Sequence, residues 1–152
     1  MAISLASLPV PAVELISSGA EGHMVTLNPD GTPQVSLVWV AATADELLVA
    51  SLTPRQKLRN LRRDPRVTIS FQSPLCDAPG EGGSSGGMRY YLVISGQAVV
   101  EDGGAPELLR RLAAIYLGPG VKFPRGDNPP PGWVVRVAVE RWHGHGPWGK
   151  GP

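Results

Sequence analysis

The chain has 152 residues, 42% of them apolar, and a formal net charge of +1. That length supports one domain with a single core, and the near-neutral balance excludes a surface built throughout for nucleic acid or acidic membranes. Gly (19) and Pro (16) are abundant but gather in residues 74–87, 118–132 and 144–152, so the rest has the composition of an ordinary globular domain with two irregular loops and a tail.

In chain order, Ser7 is positioned to cap a short helix over 9–17 that Gly19 ends. Residues 23–27 read as a strand, and Asn28-Pro29-Asp30-Gly31 as a turn, because Pro presets φ and Gly accepts a positive one. The return strand, about 32–41, has two faces, Val35, Leu37 and Trp39 against Gln34, Ser36 and Val38, and the first set is expected in the core. Residues 47–51 form a third strand. Thr53, Pro54 and Gln56 predict a capping box opening a helix over 53–63, which Asp64-Pro65 ends.

A fourth strand covers 67–72, where Val67, Ile69 and Phe71 alternate with Thr68, Ser70 and Gln72, and a long fifth covers 88–100 with a bulge near Gly96. A helix over 105–116 carries the stripe Leu108, Leu109, Leu112, Ile115 and Tyr116, and a last strand runs over 133–142. Six mainly antiparallel strands with three short helices give a mainly β fold, a small β-barrel with peripheral helices. Residues 90–94 are apolar on both faces, which a second copy of the chain would cover, so a homodimer is expected.

Charge is the sharpest local signal. Residues 1–54 contain no Lys or Arg, whereas the next twelve contain Arg55, Lys57, Arg59, Arg62, Arg63 and Arg66. Arg55 and Lys57 fall at a helix N-terminus, where unpaired N–H groups and the macrodipole already favour an anion. Cations placed there ask for a bound anion, most simply a phosphate; a solvated basic face is the plainer alternative.

Other candidates are weaker. Gly80 to Gly87 lacks the spacing of a dinucleotide or P-loop motif and reads as a flexible loop. His143 and His145 have no further ligand cluster beside them, so no metal site is expected. Asp45-Glu46 and Glu101-Asp102 read as solvated turn carboxylates, and Trp39, Tyr90, Tyr91 and Trp133 as packing residues. The lone Cys76 reads as an incidental thiol, and with no long apolar run and no basic leader a cytoplasmic protein is expected.

The segment Asp30-Gly31-Thr32-Pro33-Gln34-Val35-Ser36, then Ser51, then Pro54 to Arg66, resembles the split β-barrel flavin and deazaflavin oxidoreductases related to pyridoxamine 5′-phosphate oxidase, above all the actinobacterial branch that uses coenzyme F420. Tyr91 to Gly96 and Ala114-Ile115-Tyr116 continue the likeness, which covers about residues 20–116. The resemblance implies a homodimer with a cofactor groove at each subunit interface. It places the cofactor phosphate on Arg55 and Lys57, the ring along Gln34, Ser36 and Val38, and the ribityl end near Ser51 and Thr53. Asn60 matches as a structural residue, and Arg89 stands where the family often has an aromatic contacting the ring from the other subunit.

On this resemblance the expected activity is hydride transfer between coenzyme F420 and an unsaturated small organic substrate, with Tyr91 as a candidate proton donor. Arg59, Arg62, Lys122 and Arg125 would meet the coenzyme's oligoglutamate tail. Substrate choice would lie in the loops 74–87 and 117–132. FMN is the alternative cofactor, and a non-catalytic cofactor carrier the alternative role. Nucleic-acid binding through the basic helix is not expected at this net charge.

Overall fold

A computed structural model describes residues 1–76 and 87–149. After a single 3-10 turn at Leu5–Ser7 come α1 (Val10–Ser17), β1 (Gly22–Leu27), β2 (Pro33–Val38), the two-residue β3 (Ala41–Ala42), β4 (Glu46–Ser51), α2 (Gln56–Arg63), β5 (Arg66–Cys76), β6 (Arg89–Asp102), α3 (Ala105–Tyr116) and β7 (Trp133–His145). The seven strands form one curled antiparallel sheet in the order β2-β1-β5-β6-β7-β4-β3, a split half-barrel. The strand added to the six expected ones is β3, which pairs Ala41 with Leu48 and Ala42 with Leu47.

Inside the curl, alternate residues of each strand meet: Met24, Leu47, Ile69, Phe71, Leu92, Val135 and Val137 are all fully buried. Leu58 and Leu61 of α2 close one opening, at 1% and 3% exposure. The β1–β2 turn forms as the sequence suggests, with Gly31 at φ +84 and the Asp30 carboxylate accepting from the Thr32 N–H and hydroxyl at 3.0 and 2.6 Å.

Several local expectations are corrected. Val35 and Leu37 are 58% and 59% exposed, while Val38 is buried, so the expected core face of β2 points outward. The inward partners are fixed by pairing, Met24 opposite Ser36 and Thr26 opposite Gln34. Ser7 does not cap α1, whose N-cap is Pro9; its hydroxyl donates to the Ser4 carbonyl at 2.6 Å. Ile115 leaves the α3 stripe and is 51% exposed.

The bulge lies where Gly96 suggested, at a register shift between Ser95 and Gly96 in the β6–β7 ladder. β7 extends beyond its expected end to His145, and Trp148, in the segment read as a tail, is 6% exposed. The Gly-rich run 80–86 and residues 150–152 lie outside the described residues, as does the Cys76 side chain.

A Cβ at Gly96 would overlap the Ala138 carbonyl oxygen, a backbone atom that cannot swing away. Gly96→Ala is therefore expected to destabilise the fold by about 1–3 kcal/mol, read by urea denaturation. A variant as stable as the parent would show that the ladder relaxes at no cost.

Candidate functional site

The site starts from the abrupt turn that carries the chain out of β4. The Ser51 hydroxyl, at the strand's end, donates to the Thr53 carbonyl at 2.8 Å and bends the chain toward α2. The expected capping box does not form: α2 begins at Gln56, its N-cap is Arg55, and no side chain caps it. The Arg55 carbonyl takes the N–H groups of Leu58 and Arg59 at 3.1 and 3.4 Å, so the first-turn donors ahead of them have no side-chain cap to receive them.

A buried amide holds α2 against the β1–β2 hairpin. Asn60, fully buried, donates from Nδ2 to Thr26 Oγ1 and Asn28 Oδ1, both at 3.0 Å, and accepts from Gln56 Nε2 at 2.8 Å. Thr26 in turn donates to Gln34 Oε1 at 3.0 Å. All of the Asn60 side-chain hydrogen-bonding groups are thus used within the fold, which matches the structural role expected of it.

Four of the six clustered cations have partners. Arg66 pairs with Asp64 at 2.6 Å and Arg62 with Asp102 at 3.5 Å, Arg59 donates to Gln56 at 2.7 Å, and Arg63 to the Leu27 carbonyl. Among the described residues, Arg55 and Lys57 have no ion pair or side-chain hydrogen bond. Lys57 is nonetheless buried, at 9% exposure. Burial, and then the neighbouring Arg55 charge, push its ammonium below the usual lysine range. A desolvated cation beside a second cation is unfavourable until an anion arrives.

Two cavities meet at this pair. One, of about 430 Å³, runs past Ser51, Thr53, Val38 and Trp39 to Leu109 and Phe123. The other, of about 480 Å³, is walled by Gln34, Ser36 and Gln56. Leu37, Arg55 and Lys57 line both, so the two form one groove with the cations at its middle. The Ser36 hydroxyl is buried without a partner, a free polar group on the groove wall.

The structure thus brings together seven of the residues expected from sequence: Gln34, Ser36, Val38, Ser51, Thr53, Arg55 and Lys57. Within one chain Arg89, expected to reach the ring from the other subunit, lines a different cavity, and Tyr91 is 39% exposed on β6, away from the groove lining. Of the cations expected to meet a coenzyme tail, Lys122 pairs with Asp127 at 3.2 Å, and Arg59 and Arg62 are held as above. No group of three His, Cys, Asp or Glu suited to a metal occurs among the described residues.

Sequence reasoning missed the aromatic wall. Trp39 stacks on Tyr116 at 5.2 Å and meets Phe123 edge-on at 5.3 Å, and Phe123 reaches the groove from the loop after α3. The Tyr116 hydroxyl fixes the stack by donating to the Ala20 carbonyl and accepting from the Val40 N–H, both at 3.0 Å. Burial pushes the Tyr116 phenol above its ordinary pKa. The signal available in sequence was a single aromatic in a Gly/Pro-rich loop, too little to place it.

Comparison with known proteins follows the same line. The sequence profile described as Pyridoxamine 5'-phosphate oxidase matches residues 13–146. Among solved structures, one named F420 Reductase is 27% identical over 89% of this chain and 98% of its own, with a TM-score of 0.69. A putative pyridoxamine 5'-phosphate oxidase from Listeria innocua shares the fold at 16% identity, covering 88% and 94% of the two chains, with a TM-score of 0.62. A heme binding protein from Mycobacterium smegmatis does so at 21%, covering 95% of this chain and 57% of its own, with a TM-score of 0.59.

The unpaired Lys57 charge makes a signed prediction about stability. Lys57→Met keeps the stem and removes the charge, so without ligand it should leave stability unchanged or raise it by up to about 2 kcal/mol. Thermal melting in phosphate-free buffer measures this, and a marked loss of stability would mean that Lys57 already has a counter-charge.

Proposed function

The chain belongs to the pyridoxamine 5′-phosphate oxidase family, and from that premise we propose that it is an oxidoreductase holding a phosphate-bearing deazaflavin, coenzyme F420, in the groove across Arg55 and Lys57. The observation that carries this reading is the buried Lys57 ammonium, without an acidic partner, beside Arg55 at the start of α2. Coenzyme F420 rather than FMN is favoured by the 27% identity to the structure named F420 Reductase.

The residues present fit such a group. The two cations and the open first turn of α2 suit a phosphate. The unpartnered Ser36 hydroxyl and the Gln34 amide offer polar contacts on one side of it, and Val38, Trp39 and Phe123 an apolar wall on the other. When bound, the deazaflavin supplies hydride for an unsaturated organic substrate. The protein's work is then to bind, orient and exclude water, with Trp39 and Phe123 screening the groove. Arg89 joins this set from the other subunit of the proposed dimer, at the position where the family often has an aromatic against the ring.

The same reading includes a homodimer. Val35 and Leu37 stand exposed on β2, an edge strand of the sheet, and a second copy would cover them. No described helix is long and apolar enough to cross a membrane.

Titration of the purified protein with coenzyme F420 and with FMN, followed by fluorescence, tests the proposal. One F420 site per chain is expected, in a particle of twice the chain mass by light scattering. Arg55→Ala with Lys57→Ala should weaken binding at least about a hundredfold, two charge-assisted contacts being lost. Affinity should fall as pH rises through the lowered Lys57 pKa, earlier than it would for an ordinary lysine. Tight FMN binding without F420 binding would overturn the cofactor assignment, and unchanged affinity in the double variant would overturn the site.

A further inference from the structure

Two runs of side-chain hydrogen bonds meet at Asn60, and a third leads from it to the groove wall. One run begins at the Asp30 carboxylate and the other at the Arg59 guanidinium. A carboxylate can only accept and a guanidinium can only donate, so every amide and hydroxyl between them must be turned to suit both.

From the Asp30 end, the Thr32 hydroxyl donates to Asp30 Oδ1 at 2.6 Å, which spends its one proton. Thr32 Oγ1 can then only accept from Asn28, which donates through Nδ2 at 3.1 Å and so turns its own Oδ1 toward Asn60. Asn60 meets that oxygen with Nδ2 at 3.0 Å, and the same nitrogen donates to Thr26 Oγ1 at 3.0 Å. From the other end, Arg59 donates to Gln56 Oε1 at 2.7 Å, so it is Gln56 Nε2 that faces Asn60 Oδ1, at 2.8 Å. The two charged ends agree on the orientation of the Asn60 amide, which is fully buried.

The consequence appears at Thr26, also fully buried. Its oxygen takes the Asn60 proton, and its own proton goes to Gln34 Oε1 at 3.0 Å. A flipped Gln34 would set two donors against one hydroxyl oxygen and take away the acceptor that the buried Thr26 proton uses. The Gln34 carbonyl is therefore turned back into the fold and Nε2 is left outward, with one long contact among the described residues, to the Val35 carbonyl at 3.4 Å. Gln34 lines the groove beside Ser36, whose unpartnered hydroxyl can donate or accept and so imposes no preference of its own.

We propose that Thr26 and Asn60 are positioning residues that present the Gln34 amide N–H to the groove, so that the groove selects a ligand ring whose edge carries hydrogen-bond acceptors, such as ring carbonyl oxygens, over one that offers donors. The selection rests on the reading of the groove as the cofactor site, whereas the orientation of Gln34 belongs to the fold alone.

Gln34→Glu in the full chain is the test, because at neutral pH its carboxylate still accepts from Thr26 but turns an acceptor instead of a donor to the groove. Without ligand this variant should melt within about 3 °C of the parent, whereas Thr26→Val, which strands the Asn60 N–H, should melt lower and Thr26→Ser should recover. Binding is then read by fluorescence with coenzyme F420 and with FMN, both of which carry ring carbonyls. Inorganic phosphate, followed by its shift of the melting temperature, has no ring and reports any general repulsion by the new charge. Gln34→Glu should weaken the ring ligand at least about tenfold beyond its effect on phosphate, and Thr26→Val should weaken it several-fold with the phosphate shift kept. Equal loss for both probes in Gln34→Glu, or a marked fall in its melting temperature without ligand, would overturn the proposal. Binding of neither F420 nor FMN by the parent would overturn the cofactor reading and the selection with it, while the melting comparison still decides how Gln34 is turned.

Discussion

A lysine ammonium taken out of water with no carboxylate beside it is the constraint on which the account of this molecule rests. Lys57 is buried, its near charged neighbour is Arg55, and nothing among the described residues neutralises either. A fold carrying that cost would gain by replacing the lysine with an apolar residue unless the charge had a use. The four other cations of the same segment, each tied to a carboxylate, an amide or a carbonyl, show that partners were within reach of the helix. The charge left over lies in the middle of an open groove.

The rest of the architecture serves to hold that charge in place. The end of β4 and the end of β2 line one cavity, and the Ser51 to Thr53 bond turns the chain from β4 toward α2 at its edge. Asn60 then fixes the helix to the hairpin through Thr26 and Asn28, while Leu58 and Leu61 seat its other face in the core. Apolar burial and a fully satisfied amide thus set the position of a cation that is itself unfavourable. Strain at a site, offset by the scaffold around it, is what a binding function requires.

Much of this was legible in the residues. A stretch of 54 residues without a cation followed by six in twelve marked the segment that holds the unpaired Arg55 and Lys57, and α3 begins and ends where its sequence signals place it, at Ala105 and Tyr116. The phase of β2 was not legible. Alternation shows that Gln34 and Ser36 share a face, but which face is inside depends on Thr26 across the ladder and Asn60 on a helix 26 residues later, and these reward a polar interior. Phe123 and Trp148 were hidden for a related reason: a single aromatic in a Gly/Pro-rich segment has no periodicity, so only tertiary contact reveals it. The capping box failed because Ser51 donates to the Thr53 carbonyl and the helix starts two residues later than a Thr53 cap would set it.

The most direct measurement of the central claim is the melting temperature in inorganic phosphate against chloride at matched ionic strength, for the parent and for Lys57→Met. An anion that binds the folded chain alone raises its stability by mass action. The account predicts a rise with phosphate concentration in the parent and none in Lys57→Met. Equal behaviour of the two proteins would contradict it, since the buried ammonium would then have no part in holding an anion.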